Sequence, residues 1–230
     1  MDVTSRYNIN FATATTGTIN ARAITVTAAT DTKSYDGTTN STGTPTITSG
    51  SLASGDSVTW SQSFDSPNVG SRTLTPAGTV NDGNSGNNYS VTYATASGSI
   101  TAASTSLSLT TSTNLSQLNS NVTFTATVSP ALATGDVVFK SGATPFGTNA
   151  LADGVATFST SALAGGTNTI TAEYAGDGNV TGSTNSLSQI VNRPPAVSNL
   201  TTSVAPSDSI ALEVIGGKHA AKVVVIAIQP

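Results

Sequence analysis

Apolar and hydroxyl-bearing side chains trade places at every second position through much of this chain. Val122, Phe124, Ala126 and Val128 alternate with Thr123, Thr125 and Thr127, and Ile170, Ala172 and Tyr174 repeat the pattern. A period of two sends one set to one face of a sheet and the other set to the opposite face. It predicts strands at 24–28, 45–48, 57–60, 72–80 and 89–101 in the first half. In the second half it predicts strands at 106–111, 122–128, 136–140, 154–159, 168–174 and 187–191. Turn-forming runs separate the first set: Asp36-Gly37, Ser54-Gly55-Asp56, and the Asn/Asp/Gly stretch at 81–87. Near the end Ile210, Leu212 and Val214 alternate as one more strand, and an apolar run follows at 223–228. Almost no run reads as a helix, so the expected class is all-β.

Composition explains how such a chain stays polar. Only 9% of its 230 residues are charged, and 37% are hydrophobic, both low for a globular chain. Thr, Ser, Asn and Gly supply the polarity instead. Thr is β-branched and stiff, so it fits a strand and leaves a hydroxyl facing water. The net charge is −4, with eight basic residues scattered along the chain, which argues against a nucleic-acid partner. There are no cysteines, so disulfides, zinc–thiolate sites and Cys nucleophiles are excluded. No basic start followed by an apolar core marks a secretory leader, and no stretch of about twenty apolar residues marks a membrane helix. No membrane insertion is expected.

The chain also repeats itself. The stretch at 7–19, with Tyr7, Ile9 and Phe11 on one face, matches the stretch at 89–100, with Tyr89, Val91 and Tyr93 on one face; both end in Gly, Ser/Thr and Ile. The expected organisation is therefore 1–20 as the closing strands of a preceding repeat, then modules at 21–103 and 104–192. Residues 193–230 are expected to be a linker and an incomplete next module. Asn192-Arg193-Pro194-Pro195 reads as a stiff extended linker.

Within the first module Lys33-Ser34-Tyr35-Asp36-Gly37-Thr38-Thr39 is followed in order by Gly55-Asp56, Phe64-Asp65, Asn68-Val69-Gly70 and Asn88-Tyr89, before a Gly-Ser-Ile-Thr ending. This series resembles YDG-type modules, related to the mostly β-grasp (MBG) repeats. The resemblance implies a mostly-β, β-grasp-like fold, tandem arrangement in large bacterial exported proteins, including adhesins, and no catalytic residues. The second module carries Val122–Val128 as above, then Gly135-Asp136-Val137-Val138-Phe139 and Gly154-Val155-Ala156-Thr157. After them come 162–174 and Gly176-Asp177-Gly178-Asn179. It resembles bacterial Ig-like domains of the group 3 type, which implies a β-sandwich. The cysteine pair and buried Trp of antibody domains are absent, so its packing is expected to rest on Val, Ile, Leu and Phe.

Candidate chemistry is sparse. His219 is the single histidine, and no nucleophile elbow accompanies it; no catalytic residue is assigned. Asp82 and Asn84 in one turn, and Asp177 and Asn179 in another, offer hard oxygen ligands suited to calcium. Neither turn has the closing Glu of an EF-hand loop, and the plainer reading is a tight turn that accepts positive φ. No other cofactor is expected. Tyr35-Asp36-Gly37 is read as a structural turn, and Trp60 and Phe64 as core anchors rather than a sugar-stacking platform. Asn121-Val122-Thr123 and Asn179-Val180-Thr181 match the glycosylation triplet, but the bacterial resemblance argues against its use. An isopeptide cross-link needs a buried Lys with an acidic neighbour, and Lys140 and Glu173 both fall on polar-facing positions, which argues against one. Lys33, Lys140, Pro45 and Pro67 are expected to blunt exposed sheet edges.

The leading functional expectation is a non-catalytic spacer or stalk region of a bacterial cell-surface or secreted, adhesin-like protein, whose partners are neighbouring modules of the same chain. One alternative is direct adhesion to a glycan or host surface protein. Another is an accessory module of a secreted enzyme.

Overall fold

The computed structural model describes residues 16–193, together with the backbone of 209–217 and 220–228. The 7–11 face of the repeat and His219 lie outside the described residues, as do 194–208. Every regular element among the described residues is a strand. The chain divides into two compact units. The first holds Met1–Ala103 with Gly178–Val180, and the second holds Ser104–Asp177 with Thr181–Pro230.

The first unit contains β1 (Arg22–Thr27), β2 (Asp31–Ser34), β3 (Thr46–Ser49), β4 (Ser57–Val58), β5 (Ser61–Phe64), β6 (Gly70–Ala77), β7 (Val80–Asn81), β8 (Tyr89–Ala94) and β9 (Ala96–Thr101). They form a three-stranded sheet β3-β1-β8, a four-stranded sheet β2-β9-β6-β5 and the small pair β4-β7. Among the chain's crossings between the two larger sheets are those from β1 to β2 and from β8 to β9. Both crossings run side by side: β1 is parallel to β8 and β2 is parallel to β9. Two thin cores result. Ile24, Val26, Val80 and Tyr89 fill one, with Trp60 packed at its margin. Ala28, Phe64, Leu74 and Ile100 fill the other, with Tyr35 at its margin.

Sequence periodicity missed β2 and β5. Asp-Thr-Lys-Ser and Ser-Gln-Ser-Phe are too polar and too short to show a clean apolar face, and each becomes a strand only by pairing with β9 or β6. The single strand expected at 89–101 is two strands, because the chain changes sheets at Thr95.

In the second unit, β10 (Ser106–Thr111), β12 (Val122–Ser129) and β15 (Val155–Thr160) make one sheet. The other runs β11-β17-β16-β13-β14, built from β11 (Ser116–Gln117), β13 (Asp136–Ser141), β14 (Thr144–Ala150), β16 (Gly166–Gly176) and β17 (Thr181–Asn192). This is the two-sheet architecture that the alternation implied, with β11 and β14 at the two edges of the larger sheet, where the alternation predicted no strand. Val122, Phe124, Ala126 and Val128 are at most 1% exposed, and Ile170, Ala172 and Tyr174 at most 2%. Phe124, Phe139, Phe146 and Phe158 form the centre, with ring centroids 5.7–6.5 Å apart, close enough to gain from tilted aromatic packing. β18 (Ser209–Gly217) and β19 (Ala220–Ile228) pair antiparallel with each other.

The edge assignments divide. Lys33 lies on β2, an edge strand. Pro45 is buried just before the edge strand β3, and Pro67 lies in a loop. Lys140 is a correction: it sits on β13, between β16 and β14. There it pairs with Glu173 on the neighbouring strand at 2.5 Å, so it decorates the outer face of the sheet rather than its edge.

Gly98 shows how tight the first unit is. A Cβ there would stand 2.8 Å from both Leu74 Cδ1 and Phe64 Cε1, and 3.0 Å from the Asp31 carbonyl. Gly98→Ala is therefore expected to destabilise the unit by about 1–3 kcal/mol, read as a lowered urea midpoint.

Candidate functional site

The Tyr-Asp-Gly turn is a densely bonded polar feature of the first unit. It follows β2 directly, and Gly37 takes φ 76°, a backbone state that glycine adopts without steric cost. Asp36 Oδ1 accepts hydrogen bonds from the Thr38 N–H at 2.9 Å and the Thr38 hydroxyl at 2.9 Å. Lys33 Nζ donates to the same Asp36 oxygen at 2.7 Å and to the Thr38 carbonyl at 2.7 Å. The lysine also lies 5.5 Å from the centre of the Phe64 ring, which is 3% exposed. The Lys33 ammonium, helped by the Thr38 amide, holds the Asp36 carboxyl down at about 2. Tyr35 N–H donates to the Thr101 carbonyl, extending the β2–β9 ladder into the turn. The motif thus welds an edge strand, a turn and a core phenylalanine together.

Residues in and beside the rest of the motif series do similar work. Arg72 donates to the carbonyls of Asn68 at 2.7 Å and Val69 at 2.8 Å, bracing the turn into β6. Asp56 accepts from the Tyr89 hydroxyl, and that hydroxyl in turn accepts from the Ala53 N–H at 2.8 Å.

One key residue gave no signal in the sequence. Gln62, 6% exposed, accepts from the Ala29 N–H at 2.8 Å and donates to the Ala29 carbonyl at 2.9 Å. It also donates to the Ser41 hydroxyl at 2.8 Å. Ser41 donates to Asp31, which further accepts from the N–H groups of Thr42 and Gly43. The Ser41 hydroxyl and these amides lower the Asp31 carboxyl below its ordinary value. Gln62 stands in for a strand partner where the chain leaves β1 for β2. A lone Gln in a Ser-rich strand carries no spacing that would reveal this.

The candidate calcium residues are held by the protein's own backbone. Asp82 accepts from the N–H groups of Asn84, Gly86 and Asn88. Desolvation pushes its carboxyl up, and the three amides more than offset that, leaving it below the usual value. Asn84 donates to the Asn88 side chain. Asp177, in the second unit, accepts from the Thr134 amide and hydroxyl. Asn179, counted with the first unit, accepts from the Val69 N–H at 3.0 Å. Asp177 and Asn179 are thus drawn to different partners in different units.

Residues 20–97 match the family model of the YDG domain, and residues 109–192 match that of the bacterial Ig-like domain (group 3). The chain thus carries a YDG domain at 20–97 and, after it, a group 3 bacterial Ig-like domain at 109–192. No curated protein matches it. Among solved structures, the fibronectin(III)-like modules of Clostridium thermocellum CbhA are 14% identical, covering 73% of this chain and 94% of that one, with a TM-score of 0.35. The Yersinia pseudotuberculosis adhesin InvE is 15% identical, covering 81% of this chain and 66% of that one, also at 0.35.

In the YDG domain the three aromatic candidates separate. Phe64 is buried, whereas Trp60 and Tyr35 are half-buried at the margins of the two cores. Trp60 meets Tyr93 edge-on at 6.3 Å, and Tyr93 is 42% exposed. Gly78 lies beneath this pair; a Cβ there would be 2.5 Å from the Trp60 ring. A shallow polar depression of about 390 Å³ is lined by Thr30, Asp31, Thr32, Ser97, Gly98 and Ser99. In the Ig-like domain Gln189 is fully buried. It accepts from the Thr111 hydroxyl at 2.8 Å and donates to the Ile190 carbonyl at 3.2 Å. Asn114 accepts from the Ile190 N–H and donates to the Ser188 carbonyl.

Two outcomes follow. Gln62→Met leaves both backbone groups of Ala29 unpaired and is expected to cost about 1–3 kcal/mol in chemical denaturation. For Asp36, the folded carboxyl lies near 2 and the ordinary value is 3.8. Its contribution is therefore present at neutral pH and lost as pH falls through the folded value. Because Asp36 is 53% exposed, Asp36→Asn is expected to cost only about 0.5–1 kcal/mol at pH 7. Denaturation across a pH series is expected to show that gap closing between about pH 4 and about pH 2.

Proposed function

We propose that this chain is a structural spacer region of a bacterial cell-surface or secreted protein, without catalytic activity, in which tandem all-β modules set distance and stiffness. One observation carries the reading. Lys33, Asp36 and Asp56 of the YDG motif series, and Arg72 two positions after its Asn-Val-Gly step, are spent on the domain's own backbone and side chains. A residue series defined by bonds of this kind is selected for shape. The order YDG then Ig-like, and the copy of the 89–100 pattern at 7–19, support tandem modules as the partners of these domains.

A second reading, adhesion to a glycan or host protein, draws on the Trp60–Tyr93 pair, because half-exposed aromatics at right angles offer a face to a sugar ring. The two readings part on binding. The whole chain, immobilised on beads, is expected to show no saturable binding to a glycan array or to host-cell surfaces. Saturable binding that Trp60→Ala abolishes, with the fold intact by circular dichroism, would replace the spacer reading with adhesion.

A further inference from the structure

The two domains tie their ends together differently. In the YDG domain the first two strands pair directly with the last two, and both pairings are parallel. β1 matches β8 over six residue pairs, from Arg22↔Tyr89 to Thr27↔Ala94. β2 matches β9 over four, from Asp31↔Gly98 to Ser34↔Thr101. Backbone bonds prolong these ladders: Arg22 N–H to the Asn88 carbonyl at 2.8 Å, Ala28 N–H to Ala94 at 2.9 Å, and Tyr35 N–H to Thr101 at 2.8 Å. β9 is moreover an inner strand, held by β6 on its other side.

Parallel pairing fixes how tension acts. A pull on the chain ahead of β1 and on the chain beyond β9 draws neighbouring strands in opposite directions along their own axes. The ladder bonds are then loaded together, in shear. Strands paired antiparallel at the chain ends would bring both pulling points to one end, and their bonds would open one at a time. In the Ig-like domain the first strand, β10, pairs antiparallel with β12. The direct parallel ladder between its beginning and its last strand is short: Ser116↔Val191 and Gln117↔Asn192, plus the Leu118 N–H to the Asn192 carbonyl at 3.1 Å, with an isolated parallel bridge, Ala103↔Val180, ahead of β10 and β17.

We propose that the YDG domain is a shear clamp and the load-bearing member of this chain, and that under tension the Ig-like domain yields first and extends while the YDG domain holds. Its biological use rests on the spacer reading; the rupture force itself belongs to the folded domain. Forced unfolding is governed by the unfolding rate, so the order of rupture need not follow equilibrium stability.

The test is single-molecule force spectroscopy on the whole chain, held at its two ends. A Gly/Ser insert of about 20 residues in the exposed turn at 54–55 lengthens the YDG event by about 70 Å, so each rupture is assigned to its domain. The lengthened event is expected last and at the higher force. The chain has no cysteine, so Ala21→Cys with Asn87→Cys supplies unique handles at the same end of β1 and β8. Pulling there should peel the pair apart, and the YDG rupture force is expected to fall several-fold. A YDG domain that breaks first, or one that breaks at the same force in both pulling directions, overturns the proposal and leaves the spacer reading standing.

Discussion

A buried N–H or carbonyl without a partner costs on the order of 1–3 kcal/mol, and short strands that keep changing sheets create such groups at every crossing. Both domains answer with uncharged side-chain amides. Gln62 binds both backbone groups of Ala29 where the YDG chain passes from β1 to β2. Asn114 binds Ile190 and Ser188 where the Ig-like chain passes from β10 to β11, and Gln189 fills the space behind. The buried polar side chains among the described residues, Gln62, Ser116, Asn168 and Gln189, carry no charge. A charge there would demand desolvation and a buried partner. An amide offers a donor and an acceptor without that cost.

This constraint shapes what the surface can offer. Where a charged group does enter the fold it is tethered at the periphery, as Lys33 is to Asp36 over the Phe64 ring and Lys140 to Glu173 on the outer sheet face. The carboxylates of Asp31, Asp82 and Asp177 are turned to neighbouring amides and hydroxyls. The same economy makes the paired crossing of the YDG domain possible. Gln62 secures one of its two legs, and β8 and β9 lie alongside β1 and β2 to form the other.

Legibility differed between the halves for a physical reason. In the Ig-like domain long strands bury one face, so Val122, Phe124, Ala126 and Val128 declared themselves by period alone. In the YDG domain strands of two to four residues expose most of their side chains, and Ser61-Gln62-Ser63-Phe64 resembles a loop until β6 is beside it. Thr95 gave no warning that one run would serve two sheets. The Lys33–Thr39 series pointed to the right turn, because an Asp-Gly step needs the positive φ that Gly37 adopts. That Lys33 closes the turn depended on where Phe64 lay, some thirty positions away.

What the sequence determined by itself was local: which faces are apolar, where the chain must turn, and that hydroxyls and amides rather than charges supply most of its polarity. Those properties follow from side-chain period and backbone stereochemistry, which act over a few residues. The tertiary structure alone decided the parallel pairing of β1 with β8 and β2 with β9, the clip made by Gln62, and the inner position of Lys140. Each of these joins residues some thirty to seventy positions apart, and only the packed sheets bring such residues within bonding distance.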